Sequence, residues 1–217
     1  DKAVRPTNVM GATKRVAELV IHNIANREGP TVFVAVRFGN VLDSVGSVIP
    51  IFRRQLVTTG KLTVTHAEAS RYFMLIPEAA GLILQAGAMG EGGEVFVLDM
   101  GEPVKIVDLA KNLIRLSGKE LGVDAEIVYT GLRPGEKLHE ELIIEGEDVV
   151  RTTHPKVMKL IGSEKMPLEW TARLGELIDA AKAGGRLSVV EKLDALVKGY
   201  RPAYEFHGVD VPAAPDL

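Results

Sequence analysis

The 217-residue chain reads as an α/β protein on three observations. Residues 9–27 place Val9, Val16, Leu19, Val20 and Ile24 at helical spacing, with polar residues between them. The next segment, TVFVAVRF at 31–38, alternates valines with a second set that is itself mostly apolar. A strand apolar on both faces belongs to a buried sheet covered by helices. A helix feeding such a strand is the rhythm of an α/β fold.

In chain order, Asp1 and Lys2 precede a turn led by Pro6, and Asn8 is placed to cap the first helix. Gly29-Pro30 ends that helix region. After the strand, GNVLDSVGSVIP is too irregular for a central strand and reads as a loop at a strand end, where open α/β sheets bind ligands. A helix is expected from Ile49 to Val57, and short strands at Leu62–Thr65 and Arg71–Met74. From Pro77 to Met89 a helix presents Ala79, Leu82, Ile83 and Ala86. Gly90, Gly92 and Gly93 break it before the apolar strand Val95–Leu98. Residues 105–117 form another helix, with Ile106, Leu109, Ala110, Leu113 and Ile114 inward.

Ile127–Tyr129 is a strand, and TGLRPGEKLHEEL after it is a fixed loop leading into a short helix. The stretches 168–183 and 188–198 are amphipathic and predict an αα-hairpin. From Gly208 the Pro- and Ala-rich end reads as frayed.

Composition narrows the function. With 46% hydrophobic residues the chain can bury a sizeable core. A net charge of -3 with mixed signs carries no nucleic-acid stripe. Without cysteine there is no disulfide or thiolate chemistry. The sequence has no apolar run of membrane-spanning length and no signal peptide. The five histidines have no metal-ligand spacing, and His22 reads as structural. No G-x-G-x-x-G joins a strand to a helix. The chain starts with Asp and reads as a cut piece whose phosphate-binding half would lie upstream.

Four constellations could carry chemistry. Met10 and Lys14 are four apart and share a helix face, although a thioether cannot transfer protons. Asp1 could protonate a leaving hydroxyl, and a desolvated Lys2 could take a proton from carbon. Arg133 in RPGEK could clamp a diphosphate, or sit in a surface turn with Glu136 and Lys137 paired. Asn40, Ser44 and Ser47 could meet a sugar or cap backbone, and Arg71 could bind an anion or cap a strand edge.

The stretches DKAVRPTNVMGATKR, VRFGNVLDSVGSVIPIF, SRYFM and TGLRPGEKLHEEL, in that order, closely resemble the nucleotide-sugar 4,6-dehydratases of the polysaccharide biosynthesis family. These are extended short-chain dehydrogenase/reductases acting on UDP-N-acetylglucosamine, and the resemblance runs from residue 1 to about 200. It implies the C-terminal part of a Rossmann-like fold with a small substrate-binding α/β lobe, the glycine-loop half being absent. Residues 1–60 would belong to the NAD(P)-binding domain with the active-site helix, 61–207 mostly to the substrate lobe with interleaved core elements, and 208–217 to the tail.

The resemblance implies NAD or NADP held through Lys14 and Arg37, and a UDP-sugar met by Asn40, Ser47, Arg71 and Arg133. It assigns the C5 proton to Lys2, the C6 hydroxyl to Asp1 and the short-chain dehydrogenase tyrosine position to Met10. Some members of the family carry methionine there. A homo-oligomeric parent is implied, cytoplasmic or on the cytoplasmic face of a membrane, with this chain alone inactive. The alternatives are a nucleotide-sugar epimerase or reductase, and a non-catalytic module that lost the tyrosine.

Overall fold

A computed structural model describes residues 1–25, 29–144, 147–161 and 169–203. Helix α1 runs Val9–Ala25 and buries Gly11, Ala12, Val16 and Leu19. Its start is capped as the sequence predicts, the Gly11 amide donating to Asn8 Oδ1 at 2.9 Å. Gly11 is obligatory for a second reason: a Cβ there would lie 2.5 Å from the carbonyl oxygen of Lys2. The helix therefore presses directly on the turn that carries Asp1 and Lys2.

The main sheet has four strands. β1 (Ala35–Arg37) lies parallel to β6 (Val95–Leu98), and the antiparallel pair β9 (Asp148–Arg151) and β10 (Val157–Ile161) continues it in the order β1-β6-β10-β9. β1 is shorter than the predicted 31–38. Its partner begins only at Val95, after Gly92 and Gly93 turn the chain with φ of 130° and 82°. Upstream of β1 the contact reduces to the Gly93 amide on the Phe33 carbonyl, 2.8 Å.

Three two-stranded ladders surround the sheet. β2 (Asn40–Val41) pairs parallel with β5 (Phe73–Met74), β3 (Lys61–Val64) pairs parallel with β8 (Glu126–Tyr129), and β4 (Ser70–Arg71) pairs antiparallel with β7 (Val104–Lys105). The segment read as an irregular loop thus contributes a short strand at Asn40–Val41, and the single strand expected at 71–74 is two. Residues 131–144 contain no helix where a short one was expected. Gly131 and Gly135 take φ of 83° and 76°, which breaks any helical run.

Helices α2 (Val48–Thr58), α3 (Ile76–Met89), α4 (Ile106–Leu116), α5 (Trp170–Lys182) and α6 (Arg186–Leu196) complete the fold. They organise three cores. Val16 and Leu19 of α1 pack with Trp170, Leu177 and Leu193 of the α5–α6 hairpin. Phe52, Leu56, Leu62, Val64 and Ile114 join α2, β3 and α4. Leu82 and Ala86 of α3 cover Phe96, Leu98 and Val157 of the sheet. Each wholly buried large side chain, such as Phe52 or Phe96, contributes about 1.5–3 kcal/mol.

Two stripe assignments shift. Ile83 is exposed, and α4 buries Val107 beside the expected Ala110 and Ile114, with Ile106 and Leu113 packed against them. α3 is apolar nearly all round, so periodicity alone did not fix which side faces inward. The tail from Gly208 lies outside the described residues, as do residues 162–168. Among the described residues no helix is long and apolar enough to cross a membrane.

Candidate active site

Asp1 to Val4 form a tight turn, the Val4 amide donating to the Asp1 carbonyl at 3.1 Å. The Asp1 nitrogen donates to the Phe38 carbonyl, 3.1 Å away and one residue past β1. This seats the turn at the end of the sheet. The Asp1 side chain is only 1% exposed, and Lys2 covers it with Nζ 2.7 Å from Oδ1. The same ammonium donates to Asn40 Oδ1 of β2 at 2.8 Å. Asp1 Oδ2 is buried with no hydrogen-bond partner. Burial pulls the Lys2 pKa below its ordinary value; Glu140 opposes the shift and Arg71 adds to it.

The loop after β8 closes over this turn. Thr7 Oγ1 and Asn8 Nδ2 both donate to the Gly135 carbonyl, at 2.8 and 3.0 Å. Asn8 therefore caps α1 and fastens the loop with one amide group. Glu136 accepts from Thr65 Oγ1 at 2.8 Å and from the Arg133 amide at 3.2 Å. Lys137 donates to the Val4 carbonyl at 2.5 Å and stands 3.6 Å from Glu140. Burial also lowers the Lys137 pKa, with Glu140 opposing. Between turn and loop lies an open cleft of about 240 Å³, lined by Lys2, Met10, Arg133, Glu136, Lys137 and Glu140 among others.

The structure brings some sequence candidates together and separates others. Lys2, Met10 and Arg133 share the cleft, with Asp1 behind Lys2 and Asn40 holding it. Lys14 is exposed one helical turn beyond Met10, outside the cleft. Ser47 sits at the start of α2 with its Oγ buried and unpartnered, away from these residues.

Arg71 is committed internally. Its Nη1 donates to the Ser70 and Leu138 carbonyls at 2.7 and 3.1 Å, and its Nη2 to Glu136 at 3.3 Å. Its Nε is 3.7 Å from Glu140. In this arrangement Arg71 anchors the loop rather than offering donors to a ligand. Arg37 is likewise spent, buried between Glu18 and Glu147. The surface pair imagined for Glu136 and Lys137 does not form, because each turns to a different partner.

Sequence reasoning missed Glu140, and it placed Lys137 only as a cation of the loop or as the partner of Glu136. K-x-x-E ordinarily marks a solvated pair; the proximity of Val4 and Arg71, which buries this one, is a tertiary fact. Among the described residues no cluster of three or more acidic or imidazole side chains could hold a metal.

A nicotinamide cofactor fits at one point. Lys14 is exposed and makes no hydrogen bond or ion pair among the described residues. It shares a helix face with the exposed Met10, one turn away. An ammonium beside an apolar patch can serve a ribose and the ring next to it. Arg37 does not fit, since its donors are taken.

Comparison with known proteins matches this architecture. Capsular polysaccharide biosynthesis protein CapD of Staphylococcus aureus is 61% identical over 159 residues, 73% of this chain and 26% of CapD. A UDP-glucose 4-epimerase of Rickettsia akari is 35% identical over 154 residues, 70% of this chain and 43% of the epimerase. The X-ray structure of Pen from Bacillus thuringiensis superposes with a TM-score of 0.66 at 38% identity, covering 74% of this chain and 50% of Pen. The chain therefore spans between about a quarter and a half of the proteins it matches. The family described as polysaccharide biosynthesis protein matches residues 1–161, and the chain belongs to that family.

Proposed function

We propose that this chain supplies the acid–base residues and part of the sugar-binding cleft of an NAD(P)-dependent nucleotide-sugar 4,6-dehydratase serving polysaccharide biosynthesis. The proposed substrate is a UDP-N-acetylhexosamine, UDP-N-acetylglucosamine in particular. The observation that carries the reading is the Asp1–Lys2–Asn40 cluster at the cleft, with Lys2 Nζ 2.7 Å from Asp1 Oδ1. Elimination next to a ketone needs one group to take a proton from carbon and another to give a proton to the departing hydroxyl.

Bound NAD(P)+ would supply hydride removal from sugar C4 and its return at C6. Lys14 would hold the cofactor ribose. Lys2, its pKa lowered by burial, takes the C5 proton through its neutral amine. Asp1 protonates the C6 hydroxyl, which leaves as water. The proton of the C4 hydroxyl leaves to solvent as the ketone forms, C5 takes a proton from solvent as hydride returns at C6, and proton transfer along the Lys2–Asp1 contact restores both groups. Asn40 keeps Lys2 aimed, and Met10 adds an apolar wall. Arg133, exposed at the loop tip with its side chain free to reach outward, meets the diphosphate.

The test uses the full-length parent. Replacing Lys2 with Ala should abolish formation of a 4-keto-6-deoxy product, read by mass spectrometry as loss of water. Cofactor binding should persist. Undiminished product would refute the assignment of the base.

A second reading, a nucleotide-sugar epimerase, is favoured by the identity to the Rickettsia akari enzyme. The same mass measurement separates the two, because epimerisation leaves the mass of the sugar nucleotide unchanged.

A further inference from the structure

Glu140 lines the cleft that Lys2 enters, yet it touches no group that the proposed chemistry uses directly. Its side chain is 11% exposed. It stands 3.7 Å from Arg71 Nε on one side and 3.6 Å from Lys137 Nζ on the other. Lys137 in turn is tied to the Val4 carbonyl, so its ammonium cannot follow a moving ligand. Glu140 Oε2, the oxygen that faces Lys137, is buried, and at 3.6 Å that contact is an ion pair without a hydrogen bond. A carboxylate fixed between two cations, with a buried lone pair still unused, has acceptor capacity left for a third.

We propose that Glu140 is a positioning residue that serves as the fixed counter-charge of Lys2, stabilising the ammonium formed when Lys2 accepts a proton. Arg71 and Lys137 hold the carboxylate in place and keep it from collapsing into a permanent pair with Lys2. The second of these explains why a loop lysine reaches back to a main-chain carbonyl beneath the Asp1–Lys2 turn. The catalytic significance rests on the proposed function, whereas the electrostatic coupling can be measured without it.

The charged and titratable groups around Lys2 come from the turn, β4 and the loop after β8. Asp1 lies on the turn, Arg71 on β4, and Arg133, Glu136, Lys137 and Glu140 on the loop. Glu136 is occupied by Thr65 and Arg71. Of the acidic groups near Lys2 other than Asp1, Glu140 is therefore the one with spare acceptor capacity.

The experiment is competitive acetic anhydride labelling of this chain across pH, read at Lys2 by fragment-ion mass spectrometry, with exposed Lys14 as the internal reference. Glu140→Gln should lower the midpoint of Lys2 reactivity by about one pH unit, since an opposing charge nearby shifts a titration by that order. Glu140→Asp, which keeps the charge, should restore most of it. A midpoint that stays put in Glu140→Gln, or rises, overturns the proposal. If Glu140→Gln loses its cooperative unfolding transition, Glu140→Asp and Lys137→Met decide the matter. Removing the Lys137 charge should raise the Lys2 midpoint, and an unchanged midpoint is a refutation.

In the parent enzyme the acidic limb of the rate profile should move the same way, with KM altered less than twofold. A shift in labelling with no dehydratase activity in the wild-type parent would leave Glu140 in place and remove the proposed reaction instead.

Discussion

Two buried charge clusters meet the C-terminal end of β1, and they are built on opposite plans. Around Arg37 every donor is matched. Its Nε and Nη2 grip Glu18 at 2.8 and 3.0 Å, its Nη1 and Nη2 grip Glu147 at 2.9 and 3.3 Å, and Nη1 also reaches the Leu142 carbonyl at 3.3 Å. Glu147 is further capped by the Ile144 amide at 2.8 Å, and Glu18 by Arg15 at 2.7 Å. Around Lys2 the ledger is open, because Asp1 Oδ2 and Glu140 Oε2 are buried with no hydrogen bond. A saturated cluster ties α1 and the sheet to Leu142 and Glu147. An unsaturated one retains free energy that a ligand or a moving proton can recover.

The largest expected effect tests the saturated member. Replacing Arg37 with Met leaves two carboxylates buried without their cation, and breaking a buried pair from one side costs about 3–5 kcal/mol. The midpoint of chemical denaturation should fall accordingly, with the slope unchanged. A loss no greater than that of a surface substitution would mean the cluster is not what joins these segments.

A smaller effect follows from pH. Burial raises the Glu18 pKa, but hydrogen bonds and charge from Arg37, aided by Arg15, outweigh it and leave the carboxyl below its ordinary value. A carboxyl depressed by folding contributes stability above the unfolded pKa, near 4.3, and loses it as pH falls through the lower folded value. The denaturation midpoint should therefore decline below about pH 4 in the native chain. In Arg37→Met that decline should shrink, because the depressing partner is gone. An acid limb of equal steepness in both proteins would detach Glu18 from the effect.

The two clusters also differ in how much of each could be read in advance. Helical spacing and the two-faced strand gave α1 and β1, and the Asn8 cap was legible because its donor and acceptor are only three residues apart. Asp1, Lys2 and Arg133 entered as candidates through motif order, and the structure places Lys2 and Arg133 on one cleft with Asp1 behind Lys2. The Arg37 cluster was not, because its carboxylates stand 19 and 110 residues away. Arg37 consequently looked like a cofactor contact. Arg71 misled for the same reason, its partners Glu136 and Glu140 being 65 and more residues downstream. The hairpin β9–β10 left no clear pattern, since DVVR and VMKLI mix charge into short strands. Local chemistry announces turns and caps; whether a buried charge is spent or available depends on pairing that sequence spacing does not encode.

The finest test of the open cluster compares two glycines with the same backbone angle. Gly135 and Gly46 both have φ of 76°. At Gly46 a Cβ would meet nothing within 4 Å, whereas at Gly135 it would meet the Thr7 carbonyl at 3.0 Å and Asn8 Cβ at 3.1 Å. Replacing either with Ala incurs the strain of a left-handed residue, about 1 kcal/mol. Only Gly135→Ala also pushes the loop off the start of α1, so it should be the less stable variant in parallel denaturation measurements. In the parent it should raise KM for the sugar nucleotide, because Arg133 sits two residues away on the displaced loop. Gly46→Ala should leave KM alone. Equal stability and equal KM in the two variants would show that the loop can relax away from Thr7 and Asn8, and that the fastening of Gly135 does not set the geometry of the cleft.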